Sequence, residues 1–238
     1  MRFDVITLFP SCFDALSVSQ IWKRAQQAKA FEFHTHNLRD YAEDAHKTVD
    51  DVPYGGGSGM VLKVEPLVKA VESIPTIPGR KVLYASPQGR RLDQKWACEL
   101  ALLPQIVMIA GRYEGVDERF VEGWVDDTFS IGDYVLAGGE IPAMVLLETI
   151  VRLIPGVVGD RESVESDSFT SGLLKYPQYT RPANFRGREV PEVLRSGDHR
   201  SIERWRKERS VERTLKKRPE LLKKNLHEEF DNTTEETL

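Results

Sequence analysis

Short apolar runs alternate with segments of helical periodicity from the N-terminus up to Pro155. The apolar runs predict strands at residues 2–8, 31–38, 81–86, 106–110 and 128–131. Between them, the spacing predicts a helix at 19–28, one opened by Glu65-Pro66, one capped by Asp93, and a long apolar helix at 141–154. This alternation is typical of layered architectures, so we predict an α/β fold here.

The pattern changes after Pro155-Gly156. Residues 159–168 are polar and short-chained without a period, which predicts a mobile linker. Residues 199–217 have helical spacing, with Ile202, Trp205 and Leu215 predicted on one apolar side. We therefore predict an α/β domain over 1–159, a linker over 160–175 and a small helical C-terminal domain over 176–238.

Charge is distributed unevenly along the 238 residues, whose formal net charge is −4. Residues 1–180 carry 18 basic and 25 acidic side chains, whereas residues 181–226 carry 15 basic and 7 acidic side chains. A basic segment on an acidic protein is a candidate surface for a polyanion such as a nucleic acid. A solvated charged helix is the alternative that composition alone leaves open.

Composition argues against several classes of protein. No stretch approaches the roughly 18 apolar residues needed to span a bilayer, and the N-terminus lacks the apolar segment of an export signal. Only Cys12 and Cys98 are present, without CxxC spacing, which argues against a disulfide framework or a structural zinc site. We expect a cytoplasmic protein with no membrane partner and no structural metal site.

Three loops that follow predicted strands concentrate glycine, proline and small polar residues. They are Ser86-Pro87-Gln88-Gly89, Gly111-Arg112-Tyr113-Glu114-Gly115 and the run from Ile131 to Glu140. Loops at the carboxyl ends of strands are where α/β folds bind ligands, and glycine lets a backbone approach a ligand. Each loop taken singly is also compatible with a plain turn. Neither GxGxxG at a first βα turn nor a P-loop motif occurs, which disfavours a dinucleotide fold and a nucleoside triphosphatase.

The segment from Tyr54 to Met60 has four glycines in five positions. Such a segment is costly to order, and it suits close approach to a flat base or a backbone. A flexible surface connection is an equally weighted alternative.

Seven segments, taken together, are recognisable. They are Tyr54–Met60, Ser86–Gly89, Gly111–Arg119, Ser130–Leu136, Gly138–Glu140, Asp167–Phe169 and Tyr179–Pro182. The ordered set resembles the TrmD type of tRNA (guanine-N1)-methyltransferase, a family of the SPOUT class, over essentially the whole chain. Any one segment is weakly specific, but the set in this order is very specific.

The resemblance implies a SPOUT-type domain with a deep trefoil knot that binds S-adenosylmethionine. It also implies an obligate homodimer, with each active site built from both subunits. The implied reaction transfers a methyl group to N1 of the guanosine immediately 3′ of the anticodon in tRNA. The implied cofactor contacts fall on Tyr84, Ser86, Pro87, Gly89, Gly111, Tyr113, Glu114, Ile131, Gly132, Asp133, Tyr134, Val135, Leu136, Gly138, Gly139 and Pro142.

The family's catalytic positions fall on Asp167 and Arg152. Guanine N1 carries a proton and must lose it to attack a methyl group, so a carboxylate suits the role of general base. Arg152 is the candidate donor to the carbonyl oxygen on which negative charge develops. The alternatives are a solvated or helix-capping acid for Asp167 and an interaction with the helix C-terminus for Arg152.

Contacts with tRNA are expected from five cations that would meet phosphates. These are Arg206, Arg209, Arg213, Lys216 and Lys217. Asp50, near the glycine segment, is a candidate acceptor for the Watson–Crick edge of guanine, or else an ordinary loop acid. Lys175 stands where many relatives carry an acid, and a magnesium requirement, with Glu114 as a candidate participant, is left open.

Two rival functions are also compatible with the sequence. Another SPOUT methyltransferase, acting on ribose or ribosomal RNA, would share the cofactor loops but not Asp167-Ser168-Phe169. A non-catalytic RNA-binding protein would use the basic C-terminal segment alone, and it would not bind S-adenosylmethionine.

Overall fold

The computed structural model describes residues 1–157, 167–170 and 172–222. The chain divides into two compact units, Met1–Gly159 and Asp160–Leu238. Half of the predicted linker lies outside the described residues, so the three-part domain division stays a prediction. None of the described helices is both long and apolar enough to cross a membrane.

The first unit is built on a parallel sheet. Its strands are β1 (Arg2–Thr7), β2 (Glu32–Asn37), β3 (Asp50–Asp51), β4 (Val61–Leu62), β5 (Lys81–Arg91), β6 (Gln105–Ile109) and β7 (Asp127–Ser130). Five of them pair in parallel in the order β2-β1-β6-β5-β7, whereas β3 and β4 form a separate antiparallel pair. All five predicted strands are confirmed, except that β5 continues beyond Ser86 to Arg91. The short β3–β4 pair was not predicted.

Helices connect the strands of the sheet. They are α1 (Gln20–Gln27), α2 (Val64–Ser73), α3 (Gln94–Leu100), α4 (Glu118–Trp124) and α5 (Glu140–Val151), with 3-10 turns at Pro10–Val18 and Leu38–Tyr41. The four predicted helices of this unit are confirmed, and α4 was missed. Asp93 caps α3 as predicted, since its side chain accepts a hydrogen bond from the Trp96 amide at 2.9 Å.

Side chains alternate between two cores, one on each face of the sheet, because successive residues of a strand point to opposite faces. Phe3 and Val5 of β1 join the core formed with α1, α3 and α5. Ile6 joins the other core, which Leu67 of α2 and Phe120 of α4 complete. Burying each such side chain stabilises the fold by about 1.5–3 kcal/mol, so the sheet is covered on both faces, as parallel sheets are.

One carboxylate interrupts this apolar pattern. Asp4 is fully buried in β1, where it accepts hydrogen bonds from Arg2 at 2.8 Å and Gln105 at 2.9 Å, and lies 2.9 Å from His36 Nε2. Burial alone would raise the pKa of Asp4, but the hydrogen bonds from Arg2, His36 and Gln105 outweigh it and hold that pKa well below its usual range. Asp4 therefore stays ionised and ties β1 to β2 and β6.

The second unit contains the strand pair β8 (Asn184–Phe185) and β9 (Arg188–Glu189), a 3-10 turn at Glu192–Arg195, and the helix α6 (His199–Lys217). The predicted bounds of α6 are confirmed. Its predicted apolar side is partly wrong, because Leu215 is 58% exposed, while Ser210 and Thr214 are buried. The buried Thr214 hydroxyl donates to the Ser210 carbonyl at 2.7 Å, which satisfies the polar group locally.

Candidate active site

The first of the three loops, Ser86–Gly89, interrupts the pairing of β5 with β7. Ala85 and Arg90 both pair with Phe129, so the four residues between them leave the ladder and return to it. Gly89 faces the backbone of Thr128 and Phe129 so closely that a Cβ there would overlap it. The loop therefore has its shape only with glycine at this position.

The second and third loops meet directly. The Gly139 amide donates to the Gly111 carbonyl at 2.8 Å, and Arg112 pairs with Gly138 in an isolated antiparallel bridge. A Cβ on Gly139 would lie 2.8 Å from the Ala110 Cα and the Gly111 nitrogen. The two loops are thus held together backbone to backbone, at the carboxyl ends of β6 and β7.

Tyr84 joins the first loop to the second. It pairs with Ile109 on one side and Thr128 on the other, and its ring lies beside Gly111. Burial raises the pKa of the Tyr84 phenol above its ordinary value, so the ring contributes a neutral hydroxyl. Tyr84 belongs to this loop cluster, and its contact with a cofactor stays a prediction.

Several predicted cofactor positions are accessible around this cluster. Tyr113 is 48% exposed and Tyr134 is 56% exposed, and the neighbouring Val135 and Leu136 are exposed too. Ile131 and Gly132 lie deeper, and the Ser130 hydroxyl accepts a hydrogen bond from the Gly132 amide at 3.2 Å. The cluster therefore combines a rigid glycine-rich base with exposed aromatic and aliphatic side chains, the composition of a small-molecule site.

The structure adds a buried polar group that sequence reasoning missed. Glu140, which is only 2% exposed, accepts a hydrogen bond from the Thr7 hydroxyl at 2.8 Å. Arg112 Nη2 lies 2.9 Å from the other Glu140 carboxylate oxygen, and the Arg112 guanidinium stacks over the Phe9 ring at 4.5 Å. This network ties β1 to the second and third loops. The one signal of this group in the sequence was a charged residue, Glu140, at the start of an otherwise apolar helix.

The glycine segment connects β3 to β4 and lies against the second loop. The Glu114 amide donates to the Met60 carbonyl, and the Leu62 amide donates to the Gly115 carbonyl, both at 3.0 Å. Gly59 faces the Glu114 carboxylate, which a Cβ would approach to 2.5 Å. Asp50 pairs with Leu62 at the base of the same hairpin and is half-buried. The segment is thus tied to the second loop, which favours a site over a free surface connection.

The two predicted catalytic residues belong to different units. Arg152 is half-buried at the C-terminal cap of α5, the place that the dipole alternative also requires. In the second unit, Asp167 is half-buried and accepts a hydrogen bond from Lys175 Nζ at 2.9 Å. Lys175 therefore contacts the candidate base directly, although many relatives are expected to carry an acid at this position.

The five predicted tRNA-contacting cations all lie on α6. Arg206 stacks over the Tyr176 ring at 5.0 Å, Arg209 pairs with Glu212, and Arg213 donates to the Lys175 carbonyl at 3.1 Å. Lys216 and Lys217 are exposed in the last turn. Arg213 thus has a structural contact in addition to its charge.

No three His, Cys, Asp or Glu side chains come together as a metal site within residues 1–157, 167–170 and 172–222. A magnesium requirement stays open, and Glu114 belongs to no such group among these residues. Pro142, in the first turn of α5, lies two residues after Glu140, the last residue of the third loop.

Comparison with known proteins places this sequence in a family. Residues 1–224 match the family described as tRNA (Guanine-1)-methyltransferase TrmD. A protein of Geobacter sulfurreducens is 51% identical over 225 residues, covering 94% of this chain and 92% of the relative. A protein of Nostoc punctiforme is 50% identical, covering 94% of both chains, and one of Pseudoalteromonas translucida is 51% identical, covering 92% of this chain and 86% of the relative. All three relatives are named tRNA (guanine-N(1)-)-methyltransferase.

Proposed function

The chain belongs to the TrmD family of tRNA (guanine-1)-methyltransferases, and from this premise we propose that it methylates N1 of the guanosine immediately 3′ of the anticodon, with S-adenosylmethionine as donor. It is a tRNA (guanine-N1)-methyltransferase by its family. The observation that carries the donor and the site is the convergence of three glycine-rich loops at one end of the parallel sheet. Ligands of open α/β sheets bind at this end.

The loop cluster offers the kinds of chemical group that could bind S-adenosylmethionine. Backbone amides and carbonyls around Gly89, Gly111 and Gly139 can recognise the edge of an adenine without charged side chains. Exposed Tyr113 and Tyr134 supply aromatic and hydroxyl contacts. When bound, the cofactor supplies an electrophilic methyl group on a sulfonium.

The chemistry of the chain is proton transfer and charge stabilisation. The Asp167 carboxylate accepts the N1 proton, and the freed N1 electron pair forms the bond to the methyl carbon while the sulfur–carbon bond breaks and its electrons stay on sulfur. Arg152 stabilises the negative charge that develops on the guanine carbonyl oxygen. Removing such a donor costs roughly a hundredfold to a thousandfold in rate.

A homodimer with shared active sites belongs to the same proposal. Ile141 and Val145 lie four residues apart on one side of α5, and they are 54% and 40% exposed. Val135 and Leu136, in the loop before α5, are exposed as well. Apolar side chains exposed together on one element mark an interaction surface, and sedimentation of the full chain tests this one. A monomer at enzymatically relevant concentration contradicts it.

The knot and the cytoplasmic location are part of the proposal through family membership. The close crossing of Gly89 with the Phe129 backbone and of Gly139 with the Ala110 backbone supports a chain that threads tightly at this end of the sheet. Knots are otherwise so rare that no general rule of chain connection would suggest one.

One experiment tests the reaction as a whole. The full-length protein is incubated with methyl-labelled S-adenosylmethionine and an unmodified tRNA that has guanosine both at the last anticodon position and at its 3′ neighbour. We expect one labelled methyl group, at N1 of the 3′ neighbour. A label on ribose, on another ring position or on the anticodon guanosine contradicts the proposal. Absence of S-adenosylmethionine binding in calorimetry would instead support an RNA-binding protein without this activity.

A further inference from the structure

A groove in the second unit is bordered by the β8–β9 hairpin and by the segment Tyr179–Pro182, which the reaction proposed above does not use. The groove has a volume of about 360 Å³, and its lining includes Tyr179, Arg181, Phe185, Arg188 and Glu189. This volume lies within the range of roughly 300–1,000 Å³ that sites for small molecules occupy. One planar ring of a larger ligand therefore fits in the groove.

Two aromatic rings of the groove are accessible to a ligand. Phe185 is 59% exposed and Tyr179 is 49% exposed. The Tyr179 ring packs against the half-buried Trp205 of α6, with ring centroids 6.4 Å apart. The Arg186 guanidinium lies over the Phe185 ring, 5.3 Å from its centroid. Each ring thus has a neighbour that restricts its position, and each keeps exposed area on which a further planar group can stack.

The hairpin presents Phe185 beside a short turn of defined shape. Arg186 and Gly187, the two residues between β8 and β9, have φ angles of 53° and 80°, as a tight two-residue hairpin turn requires. The Gly187 amide donates to the Asn184 side-chain oxygen at 3.1 Å. Phe185 pairs with Arg188 across the hairpin, so the two side chains project from the same face. The aromatic ring and the arginine are therefore held side by side before any ligand arrives.

The polar groups of the groove include both donors and an acceptor. Arg181 and Arg188 are exposed cations with guanidinium donors. Glu189 is an acceptor, and its carboxylate receives a hydrogen bond from the Asn184 side-chain amide at 3.1 Å. A site for phosphate alone needs donors, and a carboxylate in such a site repels the ligand. The edge of a nucleobase carries donors and acceptors, so this mixed lining fits a base better than an isolated phosphate.

Charge favours a nucleic acid as the source of that base. Residues 181–226 carry 15 basic and 7 acidic side chains, so this part of the chain attracts a polyanion. Aromatic rings combined with arginine are the usual composition of sites for single-stranded nucleic acid, since the rings stack on bases and the cations meet the backbone.

We propose that the groove binds one unpaired base of the tRNA substrate, which stacks on Phe185 and Tyr179. Arg181 and Arg188 supply cations for the phosphates that flank this base. A base within a helical stem is already stacked on its neighbours, so only a nucleotide of a loop or another single-stranded region enters the groove. The inference rests on the proposed function, because tRNA is taken as the RNA that the protein binds.

Stacking and phosphate contacts differ in their dependence on salt. A phosphate contact releases counterions from the RNA, so its contribution to affinity falls as the salt concentration rises. A base that stacks on the uncharged Phe185 ring releases none. Loss of this ring should therefore lower the affinity by the same factor at every salt concentration, which distinguishes the groove from the exposed cations of α6.

Titrations of unmodified tRNA without cofactor test the groove. We expect Phe185→Ala to weaken binding about tenfold, as for the loss of one stacked base, with no change in the slope of affinity against salt. Phe185→Tyr keeps a flat ring and should bind within about twofold of the wild type, whereas Phe185→Leu keeps only apolar bulk and should lose most of this contribution. Leu215→Ala removes a side chain of similar exposure on α6, outside the groove, and is the control that should leave binding unchanged.

Changes to the RNA identify the base. An abasic nucleotide replaces each unpaired position of the tRNA in turn, apart from the target guanosine. At one position we expect the wild type to lose about tenfold in affinity, while Phe185→Ala loses less than about twofold further, because the stacking partner is already missing. Additive losses at every position would overturn the inference. A change in the sedimentation of Phe185→Ala would also overturn it, since a second copy of the chain would then occupy the groove.

The outcomes separate this inference from the proposed function. If the wild type binds the tRNA but transfers no labelled methyl group, the proposed reaction fails and the stacking result still stands. If methyl transfer proceeds and the abasic series is additive, the groove inference alone fails. Equal thermal melting of the Phe185 variants shows that each one is folded, as expected for a ring that is mostly exposed.

Discussion

The two units build their functional groups in opposite ways. In the first unit, the candidate cofactor site consists of backbone segments pressed together at Gly89 and Gly139 and tied by buried polar groups such as Glu140. In the second unit, the groups that matter are the ends of charged side chains, such as Lys175, which precedes α6, and Arg213, which lies on it. The helix α6 buries little besides Ser210 and Thr214.

The difference separates two kinds of substitution. A change at the glycine-rich loops of the first unit disturbs packing and the candidate cofactor site together, since the same backbone atoms serve both. A change of an exposed charge in the second unit leaves the fold intact and alters chemistry or tRNA binding alone. Stability and activity should therefore change together at the glycine-rich loops of the first unit and separately in the second unit.

The largest effect expected is on activity alone, from Asp167→Asn. Asparagine keeps the shape of the side chain and can still accept from Lys175, but it cannot take up a proton. We expect methyl transfer to fall about a thousandfold, within the range for losing a general base, while S-adenosylmethionine affinity changes less than about twofold. Single-turnover transfer and calorimetry measure the two quantities. The exposed change Glu192→Gln is the control, and equal loss of turnover and cofactor affinity would refute the base assignment.

Next comes a loss of stability from Asp4→Asn, far from any proposed substrate contact. An asparagine cannot satisfy Arg2, His36 and Gln105 together, so we expect about 3 kcal/mol less free energy of unfolding near neutral pH. Urea unfolding measures it. Asp40→Asn, which removes an ion pair to Lys47 with both partners more than half exposed, should cost less than about 0.5 kcal/mol.

The pH dependence of the same variant has a definite sign. The pKa of Asp4 is lowered in the folded protein, so its carboxylate stabilises the fold above the unfolded pKa of about 3.9. That contribution is lost as the pH falls below this value toward the folded pKa. The difference between wild type and Asp4→Asn should therefore narrow as the pH is lowered from about 5 to about 3. A difference that stayed constant over this range would show that the charge of Asp4 does not matter.

A smaller effect, on stability and cofactor affinity together, is expected from Gly89→Ala. The added methyl group overlaps the Phe129 backbone, which should cost about 2 kcal/mol and weaken S-adenosylmethionine binding about tenfold or more. Gly123→Ala in α4 meets open space and should instead stabilise the protein by about 1 kcal/mol. Thermal melting and calorimetry measure both variants. Normal cofactor affinity in a destabilised Gly89→Ala variant would show that packing and cofactor binding are independent at this loop. That result would contradict the difference between the two units argued above.

Local patterns were enough to predict most of the architecture. The five sheet strands and the predicted helices are confirmed, because buried parallel strands are short apolar runs and Asp93 is an ordinary helix cap. The short α4 was missed because Glu118–Trp124 follows a glycine-rich loop with little periodicity. The prediction placed Leu215 on the buried side of α6, and this was wrong. The buried side is anchored through Thr214, a polar residue, and the spacing of apolar residues cannot reveal such an anchor.

In the candidate site, too, local features were predicted and contacts between distant residues were not. The three loops were predicted from glycine and position, but their contacts, such as Gly139 with Gly111, join residues far apart in sequence and have no local signal. The Thr7–Glu140 hydrogen bond joins residues 133 positions apart, so composition could not suggest it. The pairing of Lys175 with Asp167 was equally hidden, although both residues had been noticed separately.

The smallest effect expected comes from Lys216→Gln, in the exposed last turn of α6. A lysine that neutralises one phosphate contributes to affinity for any tRNA, so we expect binding to weaken about threefold to tenfold and the salt dependence of binding to lose about one unit of slope. The loss should be the same for a tRNA with and without the target guanosine, because a phosphate carries no base identity. Titrations at several salt concentrations measure this, and thermal melting should not change. A loss confined to the tRNA with the target guanosine would mean that α6 helps to select the base, and the second unit would then be more than a charged surface.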